Sequence, residues 1–472
     1  MKPSLLPCAG AFVLCACGSN EPSSYLTSPP QPDSGSVLDS GPDAGAGGSS
    51  GEGGGQDAGD GSAGDGLPAF PGAKGWAAGT PGGRGGRIIR VTTLATNGPG
   101  SLVDAITQTG PRIIVFEVGG VIDLARGRLN IHSPFVTIAG QTAPSPGITV
   151  IRGGIGVRTH DVVIQHLRVR PGEASMPKTS GWETDSIGTD DGAYNVIVDH
   201  CSTTWGTDEN LSASGDRFTG ATADDWRNAT SHVITFSNNI VAEGLSNSTH
   251  SEGEHSKGGL IHDNVTRIAI VDNLYFSNMD RHPLFKGGAR GVVVNNYVAN
   301  PGEWAMRYTL NANEWGTHPP ELGQMAIVGN VFIPGPSTPA DVPLLRVTGI
   351  GQVEVHLADN IAETSAGADA ELVGGSAEYA TVMTTPPIWP EGLTAVPAAE
   401  VAERIRANVG ARPWDRDAID TRIVEQALGG EGAIIDSEQD VGGYPTHAEA
   451  RAPFVEDEWD LNFMIRKTDG GS

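Results

Sequence analysis

The stretch NMDRHPLFKGG at residues 278–288 places two cations, Arg281 and Lys286, on either side of Pro283. The chain around them is acidic, with a formal net charge of −26 at pH 7. A local group of positive charges can attract an anionic ligand even where the overall field is negative. The net acidity of the chain therefore does not exclude an acidic ligand for these two side chains. The net acidity argues against nucleic acid as a partner.

Eight short apolar runs recur through the middle of the chain, at intervals of about 24 to 37 residues. Five of them end in an asparagine: Asn239, Asn273, Asn296, Asn330 and Asn360. Such a repeat is typical of a stacked solenoid, in which each turn buries its apolar side chains against the next. A β-propeller would show a more regular blade of four strands. The pattern favours a parallel β-helix whose asparagine amides hydrogen-bond to one another from turn to turn.

Four longer segments make the pattern more specific. They are FPGAKGWAAGTPGGRGGRIIRVTTL, GPGSLVDAI, DSIGTDDGAYNVIVDHCSTTWGTDENLS and RHPLFKGGARGVVVNNYVAN. In this order, over about residues 69–310, the chain resembles the pectate lyases of polysaccharide lyase family one. The resemblance implies an all-β, right-handed, single-stranded parallel β-helix. It also implies calcium-assisted β-elimination of polygalacturonate (pectate), an acidic polysaccharide, to unsaturated oligogalacturonides.

The resemblance gives the cations their roles. Arg281 matches the arginine that removes the proton, while Lys286, and Lys257 in GEHSKGGL, match cations that bind substrate carboxylates. Positive charge on the carboxylate stabilises the enolate-like state that forms during elimination. A guanidinium is nearly always protonated, so a role for Arg281 as electrostatic clamp, with another proton acceptor, stays open.

The same resemblance implies the metal ligands. Asp185 in TDSIG and Asp208 in WGTDEN match calcium-binding aspartates, and Glu209 is a third ligand beside them. Ca²⁺ takes several oxygen ligands, many of them carboxylates, and adjacent turns of a β-helix can bring such residues together. Asp199 lies inside a predicted strand and is expected to be a structural aspartate or a partner of the ligands. Four histidines lack the spacing of zinc ligands and are expected to be structural or groove residues: His200, His255, His262 and His282.

Three other functions stay open at this point. A β-helix glycoside hydrolase would need clustered acidic catalysts, where the chain offers its Arg–Pro segment. A pectin lyase acting on methylated polymer uses no calcium, which Asp185 and Asp208 argue against. A surface carbohydrate-binding protein could keep the fold without turnover.

The two ends of the chain differ from its middle. Residues 1–17 are predicted to be a signal peptide, of lipoprotein type with Cys17 lipidated or else a plain secretory signal. Residues 18–66 form a Gly/Ser/Asp linker, residues 67–365 the catalytic β-helix, and residues 366–472 a helical and irregular extension packed on it. The predicted protein is an exported monomer, either secreted or a cell-surface or outer-membrane lipoprotein that meets the membrane only through its anchor.

The cysteine count and the helical pattern complete the sequence prediction. After loss of the signal and lipidation of Cys17, only Cys201 remains, so the mature chain has no intramolecular disulfide. Helical spacing appears twice in the extension, at Val401, Ile405 and Val409 and again at Ile419, Ile423, Val424 and Leu428.

Overall fold

The eight repeated apolar runs form eight successive strands of one parallel sheet. The computed structural model of the protein describes residues 66–467. The predicted signal peptide and nearly all of the predicted linker lie outside these residues. Within them, each run enters the sheet beside the run before it, so the sequence repeat is the repeat of the fold.

Each coil of the chain adds one strand to each of three sheets. One coil runs from Tyr194–Asp199 in the first sheet to Ser202–Thr204 in the second and Leu211–Ala213 in the third. The chain then returns to the first sheet at His232–Ser237, which pairs in parallel with Tyr194–Asp199. Three stacked parallel sheets joined in this way make a parallel β-helix, which confirms the predicted fold class.

The strands of the three sheets are as follows. The first sheet contains Arg87–Val91, Arg112–Phe116, Val136–Ala139, His160–Gln165, Tyr194–Asp199, His232–Ser237, Thr266–Val271, Arg290–Val294, Gly323–Val328, Val353–Ala358 and Ala380–Val382. The second contains Val118–Asp123, Ile148–Ile151, Leu167–Arg170, Ser202–Thr204, Ile240–Ala242, Leu274–Phe276, Tyr297–Ala299, Val331–Ile333, Ile361–Ala362 and Ala450–Arg451. The third contains Arg128–Ile131, Gly154–Val157, Ile187–Thr189, Leu211–Ala213, Leu260–Ile261, Leu284–Lys286, Met306–Leu310, Leu345–Gly349 and Val373–Gly375.

Helices are few and short. The α-helices are α1 (Leu102–Thr107), α2 (Ala223–Ala229), α3 (Ala312–Trp315), α4 (Val401–Asn408) and α5 (Ala418–Gly429). The 3₁₀ helices are Gly140–Thr142, Ala377–Tyr379, Ala398–Glu400, Glu438–Val441 and Glu456–Glu458, and a small hairpin joins Trp459–Asp460 to Ile465–Arg466. None of the helices between residues 66 and 467 has the length and apolar character needed to cross a membrane.

The five predicted asparagines form a continuous ladder at the corner between the first and second sheets. The backbone N–H and the Nδ2 of each asparagine donate to Oδ1 of the asparagine on the next coil, over 2.8–3.1 Å. Cys201 stands at the head of this ladder, where its N–H donates to Asn239 Oδ1. The ladder pairs polar groups that the corner would otherwise bury unsatisfied, as the sequence predicted.

Two of the three sheets have apolar covers on their outer faces. The segment containing Phe70 and Ala77 packs on Val163 and Ile197 of the first sheet. Helices α4 and α5 pack on strands of the second sheet. The predicted C-terminal helices therefore exist, and they lie along the flank of the β-helix. The strand Ala450–Arg451 pairs antiparallel with Val118–Asp123 and covers that edge of the second sheet.

An ionic cluster fixes α5 to the second sheet at the place where the two meet, which we call the helix junction. Arg168 and Arg170 on the strand Leu167–Arg170 meet Asp417 and Asp420 at the start of α5, and none of the four side chains is more than 3% exposed. The Arg170 guanidinium lies 2.6 Å from Asp417 Oδ2 and 2.7 Å from Asp420 Oδ1. Burial raises the pKa of Asp417, but the charge of Arg170 outweighs this and holds the pKa below its usual value. The two positive and two negative charges neutralise one another.

Candidate active site

All of the predicted site residues except Lys286 lie in the loops that enter the third sheet, on four consecutive coils. Asp185 is two residues before its strand, and Asp208, Lys257 and Arg281 are each three residues before theirs. Neighbouring strands of a sheet lie about 4.8 Å apart, so residues at matching positions form a row. Isolated backbone bridges join Lys257 to Glu209 on one side and to Asp280 on the other, so the row runs through these three residues, with Asp208 and Arg281 next to it in the chain.

Three carboxylates converge at one end of the row. One carboxylate oxygen from each of Asp185, Asp208 and Glu209 lies within 4.8 Å of the other two. Asp185 accepts hydrogen bonds from Ser212 Oγ at 2.5 Å and from the Glu209 N–H at 3.2 Å. Burial, together with the charge of Asp208, raises the pKa of Asp185 to about 6. The structure therefore brings together all three predicted metal ligands.

A glycine leaves the space that Asp185 occupies. A Cβ atom on Gly188 would lie 2.6 Å from Asp185 Oδ2 and 3.0 Å from Ser212 Oγ. The Arg128 guanidinium reaches within 3.9 Å of the same Asp185 oxygen. Asp185 is therefore positioned by its neighbours on three strands of the third sheet.

Arg281 lies directly against the carboxylate cluster. Its guanidinium forms an ion pair with Glu209, and the two side chains are 13% and 5% exposed. Asp280 Oδ1 accepts the Arg281 N–H at 2.7 Å and holds the backbone at a φ of +70°. The Arg281 carbonyl accepts the N–H of Gly259 at 2.7 Å and would lie 2.3 Å from a Cβ on Gly258. Both glycines of the sequence SKGGL thus lie against the arginine segment.

The two predicted lysines lie in different surroundings. Lys257 is half-buried and sits in the row between Glu209 and Asp280. Lys286 lies at the other end of the strand Leu284–Lys286, where it forms an ion pair with Glu314 and lies 3.5 Å from Asp263 Oδ2. Its side chain is only 7% exposed. The predicted substrate contact of Lys286 would therefore have to compete with two carboxylates that already hold it.

Two histidines that sequence analysis did not place in the site contact Asp208. His255 Nε2 donates to Asp208 Oδ1 at 3.0 Å, and His250 Nε2 lies 3.9 Å from the same oxygen. Burial opposes the ionisation of Asp208, but the His255 hydrogen bond and the positive charge of Arg281 hold its pKa below the usual range. The two histidines lie in an irregular loop, so neither strand periodicity nor spacing indicates them.

Asp208, His250 and His255 lie close enough together to hold a metal ion, but the orientation of the two imidazole rings does not suit one. The two imidazole rings are stacked, with centroids 3.7 Å apart and planes 8° from parallel. The lone pairs of stacked rings lie in nearly parallel planes, so they do not converge on one point as the ligands of a tetrahedral zinc site must. We assign to His255 and His250 the role of orienting the Asp208 carboxylate.

Asp199 is structural, which is one of its two predicted roles. It accepts hydrogen bonds from Ser237 Oγ at 2.7 Å and Asn238 Nδ2 at 2.9 Å, and pairs with His200 Nδ1 at 2.7 Å. These partners lie at the corner between the first and second sheets, whereas the carboxylate cluster lies where the chain enters the third sheet.

The chain is similar in sequence to curated pectate lyases. The chain is 35% identical over 383 residues to a probable pectate lyase C of Emericella nidulans, a match that covers 80% of each chain. It is 33% identical over 386 residues to a probable pectate lyase C of Aspergillus flavus, covering 80% of this chain and 81% of that one. No family model matches the chain.

One solved structure supports the fold alone. Jun a 1, the major allergen from cedar pollen, superposes with a TM-score of 0.50 at 16% identity, over 71% of this chain and 92% of that one. Fold and site together define a parallel β-helix protein with an acidic cluster and an arginine at the entrance to one sheet. With the curated relatives added, the assignment is specific: the chain belongs to the pectate lyase family.

Proposed function

We propose that this protein is a pectate lyase that cleaves polygalacturonate by calcium-assisted β-elimination. The observation that carries the proposal is the position of Arg281 against the cluster of Asp185, Asp208 and Glu209. A β-helix hydrolase needs a carboxylic acid and a carboxylate free to activate water. Here Glu209 is paired with Arg281, so the geometry supports elimination better than hydrolysis.

The reaction requires positive charge beside a sugar acid. A base removes the proton from the carbon that bears the carboxylate, and the glycosidic oxygen leaves from the next carbon, with a double bond formed between the two. The proton is weakly acidic because the group beside it is already negative. Cations that contact that carboxylate stabilise the charge that develops as the proton leaves.

The carboxylate cluster fits a calcium ion. Its donors are all oxygens, from three side chains, as Ca²⁺ prefers. Burial, and after it the negative charge of Asp208, raises the pKa of Asp185, so a cation bound beside it would favour its ionised form. A bound calcium ion would neutralise that charge and polarise the substrate carboxylate as a Lewis acid. We propose Asp185, Asp208 and Glu209 as its ligands.

We propose that Arg281 accepts the proton in its neutral form, which a calcium ion held by Glu209 would favour, with its backbone held by Asp280 and Gly259. Lys257, in the middle of the row, has the position to bind a carboxylate of the substrate. The same role for Lys286 requires that its Nζ leave Glu314. Arg281 as an electrostatic clamp for a different proton acceptor is the alternative within this mechanism.

Export of the protein is part of the proposal, because an enzyme that acts on a polymer of this size works outside the cell. The signal peptide, the lipid on Cys17 and the monomeric state remain predictions. The first two fall outside residues 66–467.

An absorbance assay tests the proposal. Polygalacturonate incubated with the full chain and calcium should gain ultraviolet absorbance from unsaturated products, and the signal should vanish with a chelator or in Arg281→Ala. Activity that survives chelation would favour the calcium-independent pectin lyase. Chain cleavage without absorbance would establish hydrolysis and overturn the proposed function.

A further inference from the structure

A second concave site lies at a different corner of the β-helix. A cavity of about 860 Å³ opens over the corner between the first and second sheets, where Gln165, Asp199 and Asn238 are among the residues that form its floor. Its walls come from segments outside the β-helix, which include Trp414 and Trp459 of the C-terminal extension. This volume is within the range of sites that bind small ligands. The mechanism proposed above uses none of these residues.

The charges that line this cavity are mainly positive. Four cations line it, Lys74, Arg404, Arg412 and Arg466, against two acids, Asp199 and Glu458. Asp199 is already held by four hydrogen-bonding partners, Ser237, Asn238, His200 and Gln165. Asp415 pairs with Arg412 and Glu458 pairs with Arg466, whereas Lys74 and Arg404 share the single carboxylate of Asp272. Lys74 and Arg404 therefore keep one positive charge between them at the cavity wall.

Arg404 has hydrogen-bonding capacity to spare. Its Nε is buried and lies 3.7 Å from Asp272 Oδ1, so the donors open to a ligand are those at the outer end of the guanidinium. The side chain is 38% exposed. A guanidinium carries five N–H donors in a planar fork that matches a carboxylate. Arg404 is thus placed to accept an acidic ligand.

Trp414 supplies an exposed aromatic face beside these cations. It is 61% exposed, although tryptophan is usually well buried. Its ring stands between the 860 Å³ cavity and a second hollow of about 440 Å³, and Trp414 lines both. Its edge-on neighbour is His166, with ring centroids 4.9 Å apart. A flat apolar ring of this kind can stack on the C–H face of a sugar.

We propose that this cavity is a second carbohydrate site that binds an acidic oligosaccharide, with Trp414 stacked on a sugar ring and Arg404 bound to a sugar carboxylate. The identity of the sugar acid as a galacturonate rests on the proposed function. An exposed tryptophan beside cations favours a ligand that has a sugar ring to stack on the indole and a negative charge to pair with a guanidinium. The site binds without calcium, because its anion partners are guanidinium groups.

A binding experiment separates this site from the active site. The full chain carrying Arg281→Ala is titrated with trigalacturonate by calorimetry in the presence of a chelator, with maltotriose as the uncharged probe. We expect trigalacturonate to bind and maltotriose not to bind. Trp414→Ala and Arg404→Ala should each weaken the binding about tenfold, and Trp414→Phe should restore most of it.

The controls are exposed residues outside the cavity. Val382→Ala matches Trp414 in exposure, at 62%, and Arg87→Ala removes an exposed cation. Both should bind like the parent. No binding in chelator, equal binding of maltotriose, or an unchanged affinity in Trp414→Ala would each overturn the proposal. The ultraviolet assay on the unmutated chain tests the lyase function separately, so either proposal can fail while the other stands.

Discussion

The charges at the helix junction and those at the entrance to the third sheet are organised differently. At the junction, two arginines meet two aspartates, all nearly inaccessible to water, and their charges cancel. At the entrance, three carboxylates meet one close arginine, and Asp208 remains 33% exposed. The junction cluster joins two parts of the fold. The entrance cluster keeps negative charge that the protein itself does not balance.

This difference separates a structural cluster from a functional one. The junction cluster needs nothing further, and the burial of its charges is offset by their mutual attraction. The entrance cluster is more stable when a cation binds, so binding and function are linked there. Four predictions test this contrast, each by a change in one of the two clusters.

Asp420→Asn should have the largest effect. Asp420 accepts hydrogen bonds from Arg168, Arg170 and Ser202, and its removal leaves two buried cations with one carboxylate. We expect the free energy of unfolding to fall by about 3–5 kcal/mol, as measured by guanidinium denaturation. The control Glu403→Gln changes a carboxylate that is 81% exposed in α4 and should leave stability unchanged. If both variants are as stable as the parent, the junction cluster does not stabilise the fold.

Asp185→Asn should lower the activity and leave the protein folded. Loss of one carboxylate ligand should lower the rate of elimination at least about 100-fold at a fixed calcium concentration, as measured by ultraviolet absorbance. Asp191→Asn is the control, since Asp191 lies on the same coil and is 56% exposed. Full activity in Asp185→Asn would remove this residue from the calcium site.

The pH dependence of stability should reveal the uncompensated charge. The pKa of Asp185 is raised to about 6 in the folded protein, so the folded state binds more protons than the unfolded chain between pH 4 and 6. In chelator, this residue should therefore lower stability as the pH rises through that window, by about 2–3 kcal/mol. Denaturation at several pH values should show the decline in the parent and a smaller one in Asp185→Asn. Parallel curves would contradict the prediction.

Ser212→Ala should have the smallest effect. Its hydroxyl donates to Asp185 Oδ2 and orients that carboxylate. Loss of this support should raise the calcium concentration needed for half-maximal activity about tenfold, with little change in the maximal rate. Ser214→Ala, two residues further along the chain, serves as the control. An unchanged calcium requirement would mean that Gly188 and Arg128 suffice to position Asp185.

Much of this architecture could be predicted from the sequence, because a stacked fold repeats its local interactions. The apolar runs indicate one strand of each coil. The asparagines that follow them, such as Asn273 and Asn296, indicate the corner where that strand ends. The carboxylates could be placed because Asp185 and Asp208 lie beside predicted strands that stack. The structure brings them together, while their role as calcium ligands remains a prediction.

Contacts that depend on loops could not be predicted. His250 and His255 reach Asp208 from an irregular segment whose path no periodicity determines. The partners of Lys286 could not be predicted for the same reason, because Glu314 belongs to the short helix α3 in a connection between sheets. The sequence could indicate that Lys286 follows Arg281 by five residues. It could not indicate which carboxylates would hold it.

The position of Cys201 at the head of the asparagine ladder gives the protein a chemical reporter. Its thiol is fully buried, and burial raises its pKa to about 12, so it is unreactive while the corner is closed. The other cysteines of the chain, Cys8, Cys15 and Cys17, all lie in the predicted signal peptide. The rate at which a thiol-reactive dye labels the mature protein would therefore time the unwinding of one internal coil, independently of catalysis.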